Sequence, residues 1–265
     1  MSKIYSAGSI KTFFHEIYTL LKSSEDNKSG WFEFSEINFL KNLNKYELKE
    51  FLANFEFIDI VKGNYNTNYL TIDKIQFVME SIQILNLDLK LVSELLDYGG
   101  FELLVNKILF KNNYKVLNNF RFSDKSNFKI KTAQKRYEID VIGINKKFVL
   151  FIDAKQWKHK DSYSSMNKAA DLQIQRIIAL KNNPEAFSKL IQKLLGINAK
   201  LKHYLPFTLI PIIVTLEDNA YKLNDNQVPL VSIYFLNAFL QELEIYSHYY
   251  KAIMIRKINI QKKLL

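Results

Sequence analysis

Apolar residues recur at helical spacing over 8–22, through Ile10, Phe13, Phe14, Leu20 and Leu21, and predict a helix with Ser9 as its N-cap. The period then changes several times. Residues 23–30 are polar and loop-like, Trp31-Phe32-Glu33-Phe34 predicts a short strand, and 35–40 and 45–55 predict two further helices. Phe57-Ile58-Asp59-Ile60-Val61 and Tyr69-Leu70-Thr71-Ile72 flank a Gly63-Asn64-Tyr65-Asn66 turn and predict a hairpin. Segments 73–85 and 87–98 predict linking helices.

Gly99-Gly100 punctuates the pattern. We expect one domain over 1–98 and a second over 99–265. Phe101, Leu104, Val105 and Ile108 then form one apolar stripe, which predicts an amphipathic helix. Strands are expected at Tyr114-Lys115-Val116-Leu117 and at Phe128-Lys129-Ile130-Lys131. Residues 164–181 predict a helix with Met166, Ala169, Ala170, Gln173, Ile177 and Leu180 on one side, and Pro184 opens another. The mostly apolar run 207–215 predicts a buried strand, 228–233 a short strand running into a helix over 236–243, and 251–265 an edge strand with a basic tail. Three helices followed by a hairpin is the order of a winged helix, so the expected fold is α/β: a mainly helical winged-helix domain before a domain with a mixed sheet.

The candidate chemistry lies in two strands of the second domain. Tyr137-Glu138-Ile139-Asp140-Val141-Ile142-Gly143 and Phe148-Val149-Leu150-Phe151-Ile152-Asp153-Ala154-Lys155 are rich in β-branched and aromatic residues, and Asn145-Lys146-Lys147 between them is turn-like. Folded back as a hairpin, they set Asp140 nearly opposite Asp153. Asp153 and Lys155, two apart, share a strand face. Two carboxylates and an ammonium then converge on one point. Two carboxylates at ~4 Å and an effective dielectric near 20 repel by about 4 kcal/mol. A hard dication relieves that repulsion, and oxygen donors suit Mg²⁺ or Mn²⁺. Such a cluster fits activation of water against a phosphodiester.

Charge sharpens this reading. The net charge is +10, but residues 1–98 hold 10 lysines against 14 acids, and residues 99–265 hold 27 basic residues against 13 acids. A basic surface around an acidic spot suits a phosphate backbone; a generally lysine-rich soluble surface is the plainer alternative. Only four of the basic residues are arginine, which favours point-charge contacts over bidentate base reading. Cysteine is absent, which removes disulfides and thiolate chemistry. No apolar run reaches the ~18 residues of a membrane span and no signal-peptide pattern opens the chain. A soluble, cytoplasmic protein is expected. There is no phosphate-cradling Gly-x-x-x-x-Gly-Lys loop, no nucleophile elbow and no histidine pair at ligand spacing.

Helix with Glu102, strand, strand with Asp140, strand with Asp153-Ala154-Lys155, helix, strand and helix resembles the PD-(D/E)xK nuclease core, αβββαβ with a mixed central sheet. The likeness covers about 99–243 and is nearest to Mrr-type restriction endonucleases and archaeal Holliday-junction resolvases. A winged helix ahead of an Mrr-type domain extends it over nearly the whole chain. The resemblance implies a Mg²⁺-dependent DNA endonuclease, with Mn²⁺ able to substitute, that acts as a homodimer to cut both strands. It implies Asp140, Asp153, Lys155 and Glu102 as catalytic residues, and Asp140, Asp153, the Ala154 carbonyl and Glu102 as metal ligands. Gln156, Lys158, His159, Lys160, Gln173 and Arg176 are candidate nucleic-acid contacts, and Trp157 a packing residue.

Each role has a plainer counterpart. Asp140 and Asp153 could face solvent beside lysines, and Lys155 could simply neutralise Asp153. Glu102 in a first helical turn is favoured by the helix dipole in any case. Glu138, on the Asp140 face, reads as a surface residue. A junction resolvase, or a nonenzymatic DNA-binding or regulatory protein on a nuclease-like fold, stays open, as does whether the acidic winged helix binds DNA or protein.

Overall fold

The computed structural model describes residues 5–24, 26, 29–63, 68–85, 95–123, 136–156, 163–197, 199, 203–216 and 222–258. The turn at Asn64-Tyr65-Asn66, most of the helix expected over 87–98, the strand expected at Phe128-Lys129-Ile130-Lys131, Trp157, Lys158, His159, Lys160 and the tail from 259 lie outside the described residues. The chain is mixed α/β and divides into two compact units, Met1–Leu104 and Val105–Leu265.

In the first unit the order is α1 (Ala7–Ser23), β1 (Ser29–Glu33), a 3₁₀ turn (Phe34–Glu36), α2 (Asn38–Lys41), α3 (Lys45–Leu52), β2 (Ile58–Lys62), β3 (Asn68–Asp73) and α4 (Lys74–Leu85). The N-cap of α1 is Ser6, not Ser9: the Ser9 N–H donates to Ser6 Oγ at 3.1 Å, so Ser9 is the third helical residue rather than the cap. Asn44 caps α3 reciprocally with Glu47, accepting from the Tyr46 and Glu47 N–H groups while Glu47 accepts from its own. The antiparallel sheet runs β1-β3-β2. A run of phenylalanines fills the core, with Phe13 and Phe51 edge to face at 4.9 Å and Phe57 and Phe77 at 5.1 Å. Buried Glu80 is satisfied by the Glu56 N–H and the Gln76 side-chain amide.

Helix α5 (Tyr98–Lys111) crosses the division between the units. Gly99 and Gly100 lie inside its first turn, and Asp97 Oδ1 accepts from the Gly100 N–H at 2.6 Å. The second unit continues with β4 (Lys115–Ser123), β5 (Arg136–Asn145), β6 (Phe148–Lys155), α6 (Tyr163–Lys181), α7 (Pro184–Leu195), β7 (Phe207–Thr215), β8 (Lys222–Leu223), β9 (Pro229–Ser232), α8 (Ile233–Tyr246) and β10 (Ile253–Ile255). Its sheet runs β4-β5-β6-β7-β9-β8, with β10 on β7. Strands β4, β5 and β6 are antiparallel neighbours; β6, β7 and β9 are parallel. The strand expected to begin at Tyr114 starts at Lys115 and runs to Ser123. Of the C-terminal strand expected over 251–265, only Ile253–Ile255 pairs among the described residues.

Strands β5, β6 and β7 are buried on both faces, which is why their sequences read as apolar runs rather than alternation. On one face α6 and α7 cover Ile142, Ile144, Val149 and Phe151 with Ile177, Leu180, Leu190 and Ile191. On the other, α5 approaches so closely that a Cβ on Gly143 would sit 3.2 Å from the Tyr114 ring and 3.4 Å from Leu109. This sandwich holds the carboxylate end of the hairpin under α6.

Candidate functional site

The β5–β6 ladder pairs Val141 with Ile152 and ends there, so Asp140 and Asp153 face each other one step beyond the last pair. At that point β6 goes on alone with β7, pairing Asp153 with Ile213, Ala154 with Val214 and Lys155 with Thr215. The Ala154 N–H, free of the β5 backbone, donates to Asp140 Oδ2 at 3.0 Å. The fork between two strands thus turns one carboxylate inward to satisfy a main-chain donor. Asn119, the cross-strand position to Asp140 on β4, has φ +52, and the β4–β5 register skips that pair.

Asp153 is 1 % exposed and Asp140 9 %. Lys155 Nζ lies 3.2 Å from Asp153 Oδ2, and Arg176 Nη1 lies 2.8 Å from Asp153 Oδ1. Burial, and then the Asp153 charge, push the Asp140 carboxyl up from 3.8 to about 6; the Ala154 N–H, Lys155 and Arg176 pull in the other direction. Two acids and two cations therefore meet where little water reaches, and the like-charge repulsion between the carboxylates is only partly compensated.

The sequence candidates sort clearly. Asp140, Asp153, Lys155 and Arg176 are brought together. Gln173 joins them: it is fully buried, and its Oε1 accepts from Arg176 Nη1 at 2.9 Å. Ala154 contributes its N–H to Asp140. Gln156 follows the last residue of β6 and is half-buried. Glu102 is buried on α5, within the first unit. Glu138 pairs with Arg121 at 2.8 Å on the surface, in line with its plain reading. Among the described residues no group of three or more His, Asp or Glu side chains could hold a metal ion.

Two residues were missed by reading the sequence. Lys155, Thr215 and Ser232 are in register across β6, β7 and β9, so their side chains leave the same face of the sheet at the ends of the parallel strands. Thr215 and Ser232 are buried, and among the described residues the Ser232 hydroxyl has no partner although it occupies the N-cap position of α8. The only sequence signal is that each ends an apolar run.

Residues 100–214 match the family model of the nuclease-related domain (NERD). That likeness is consistent with a nuclease superfamily. No curated protein matches the chain. The crystal structure of protein VC1899 from Vibrio cholerae matches at a TM-score of 0.32 and 11 % identity, over 92 % of this chain and 53 % of that one. The chain thus spans about half the length of that protein. Among the described residues no helix is long and apolar enough to cross a membrane.

Proposed function

We propose that the second unit is a Mg²⁺-dependent DNA endonuclease of the restriction or repair kind, related to Mrr-type enzymes. The observation that carries this is the pair of buried acids facing each other at the fork of β5 and β6, with Lys155 on the same strand face 3.2 Å from Asp153. The site fits a hard dication. Its donors are carboxylate oxygens, and burial and the Asp153 charge raise the Asp140 carboxyl to about 6, an opposition to ionisation that a bound dication would relieve. Asp140, Asp153 and the Ala154 carbonyl would hold the ion; Glu102 does not join them, because among the described residues no third acid stands with this pair. When bound, it supplies Lewis acidity at the phosphoryl oxygens.

The chain's own groups do the rest. Asp153 fixes the Lys155 ammonium, which orients the attacking water and opposes charge developing on the phosphoryl oxygens. Water adds to phosphorus, the P–O ester bond breaks, and the products are a phosphomonoester and a free hydroxyl. Gln156, Lys158, His159, Lys160 and Arg176 contact the nucleic-acid backbone, aided by the basic excess of residues 99–265, whereas Gln173 is fully buried and holds Arg176 instead of touching the backbone. Cutting both strands calls for two sites, hence a homodimer acting in the cytoplasm. The first unit reads as a winged helix: its order α1, β1, α2, α3, β2, β3, with β1 paired to β3, supports this, and DNA and a protein are its alternative partners.

A second reading, a nonenzymatic DNA-binding or regulatory protein on a nuclease-like fold, draws support from the neutral cluster of two acids and two cations, in which each Asp153 oxygen already has a basic partner. A structure-specific enzyme such as a junction resolvase is a variant of the first reading. One assay separates them: plain duplex, methylated duplex, branched DNA, single strand and RNA, each with Mg²⁺ or with EDTA, against wild type and Asp153→Asn. Cleavage that needs Mg²⁺ and Asp153 is expected. No cleavage of any substrate, or cleavage indifferent to Asp153→Asn, refutes the proposal.

A further inference from the structure

We infer that Arg176 is a built-in competitor for the cation: its guanidinium holds Asp153 Oδ1 in the metal-free protein and must give up that oxygen to a substrate phosphate's company when the site is loaded. This rests on the cation-dependent reading above and adds a coupling that the reading does not contain.

Asp153 is almost wholly buried and both of its oxygens are engaged, Oδ1 by Arg176 at 2.8 Å and Oδ2 by Lys155 at 3.2 Å. A dication reaching Asp153 therefore meets a cation already in place. Arg176 is attached in a way that suits release. A guanidinium frequently clasps a carboxylate through two parallel N–H bonds, the stronger and more specific arrangement. Here a single nitrogen, Nη1, reaches both Asp153 Oδ1 and Gln173 Oε1, out of the five donors the group carries. The side chain stays 22 % exposed, so its remaining donors have a path to solvent or to a phosphate.

Gln173 marks the cost of this arrangement. It is fully buried and its carbonyl oxygen anchors Arg176, while among the described residues its Nε2 has no partner. An unpartnered buried donor is tolerated where it serves another state. Charge balance points the same way. Asp140 and Asp153 are offset by Lys155 and Arg176, so an added dication leaves the cluster strongly positive unless Arg176 withdraws or an anion arrives. A phosphodiester does both: it brings negative charge and gives the guanidinium a new partner. Cation loading is thereby coupled to the presence of nucleic acid, which keeps the hydrolytic site quiet without substrate.

The test is Mn²⁺ binding to the full chain, read from the electron paramagnetic resonance of free Mn²⁺, for wild type, Arg176→Gln, Arg176→Lys and Gln173→Met. Removing the guanidinium charge in Arg176→Gln should tighten Mn²⁺ binding by about tenfold or more, while Arg176→Lys stays near wild type because the charge remains. Gln173→Met removes only the neutral anchor and should tighten binding by about threefold; it serves if Arg176→Gln melts too low to titrate. The rise in Tm on adding Mn²⁺ should be larger in Arg176→Gln than in wild type. If wild type binds Mn²⁺ and neither Arg176→Gln nor Gln173→Met binds it more tightly, or if Arg176→Lys binds as tightly as Arg176→Gln, the competition is refuted and the cation site stands. If no variant binds Mn²⁺, the cation site itself fails and the competition with it.

Discussion

Replacing Asp140 by Asn should stabilise the metal-free protein at neutral pH, although it removes a group at the centre of the site. The carboxyl titrates near 6 in the fold against 3.8 in its ordinary state, because burial and Asp153 oppose its ionisation. A group whose pKa is raised on folding takes up protons more readily in the folded chain, so ionising it works against folding. The cost is absent below about pH 4, grows between about pH 4 and 6, and is complete above that. The rise from 3.8 to about 6 corresponds to ~3 kcal/mol. An Asn keeps an oxygen to accept the Ala154 N–H and offers Asp153 an amide in place of a like charge, but it still buries a polar group. The net gain is therefore ~1–3 kcal/mol at pH 8, or about 2–10 °C in Tm for a unit of this size. The assay is urea denaturation of wild type and Asp140→Asn in EDTA at pH 4, 6 and 8. The gain should be full at pH 8, nearly full at pH 6 and nearly gone at pH 4. Equal stability at pH 8, or an undiminished gain at pH 4, would show that the fold does not oppose ionisation of the Asp140 carboxyl.

Lys155→Ala should lower cleavage by a factor of about 100 or more while leaving Mn²⁺ binding in place, and Lys155→Arg should not restore the rate, since a planar guanidinium does not place its donors as an ammonium does; cleavage kinetics beside metal titration check both. Gly143→Val should destabilise the second unit by about 1–3 kcal/mol, because a side chain there meets the Tyr114 ring and Leu109 beneath α5; a shift of the urea midpoint measures it. Asn183→Ala should cost ~1–2 kcal/mol, since Asn183 caps α7 through the Ala186 N–H and also donates to the Ser123 carbonyl at the end of β4; the same denaturation curves test it.

Much of this protein can be read from local pattern. The elements flanking the site, from β5 through α7, are placed to within a residue or two by periodicity, because their apolar sets are dictated by burial on both sheet faces or along one helix face. The facing of Asp140 and Asp153 follows from a short turn that fixes hairpin register, and the shared face of Asp153 and Lys155 from the two-residue period of a strand. An error of cap placement is also local: Ser9 rather than Ser6. A residue with good cap propensity sits three positions from the residue that takes the role, and only hydrogen-bond geometry separates them.

What the chain alone could not decide depends on elements far apart in sequence. Pairing Arg176 with Asp153 requires α6 to lie across the end of β6, and that follows from the packing of Ile177 and Leu180 on the sheet. The row of Lys155, Thr215 and Ser232 needs the parallel order β6-β7-β9, which no local period encodes. The raised pKa of Asp140 is likewise a tertiary property, because it arises from removing water around two charges that the hairpin had only made neighbours. Sequence supplied the acids, the lysine and their register; long-range packing set their solvation and their cationic partners, since burial is a sum over the whole fold.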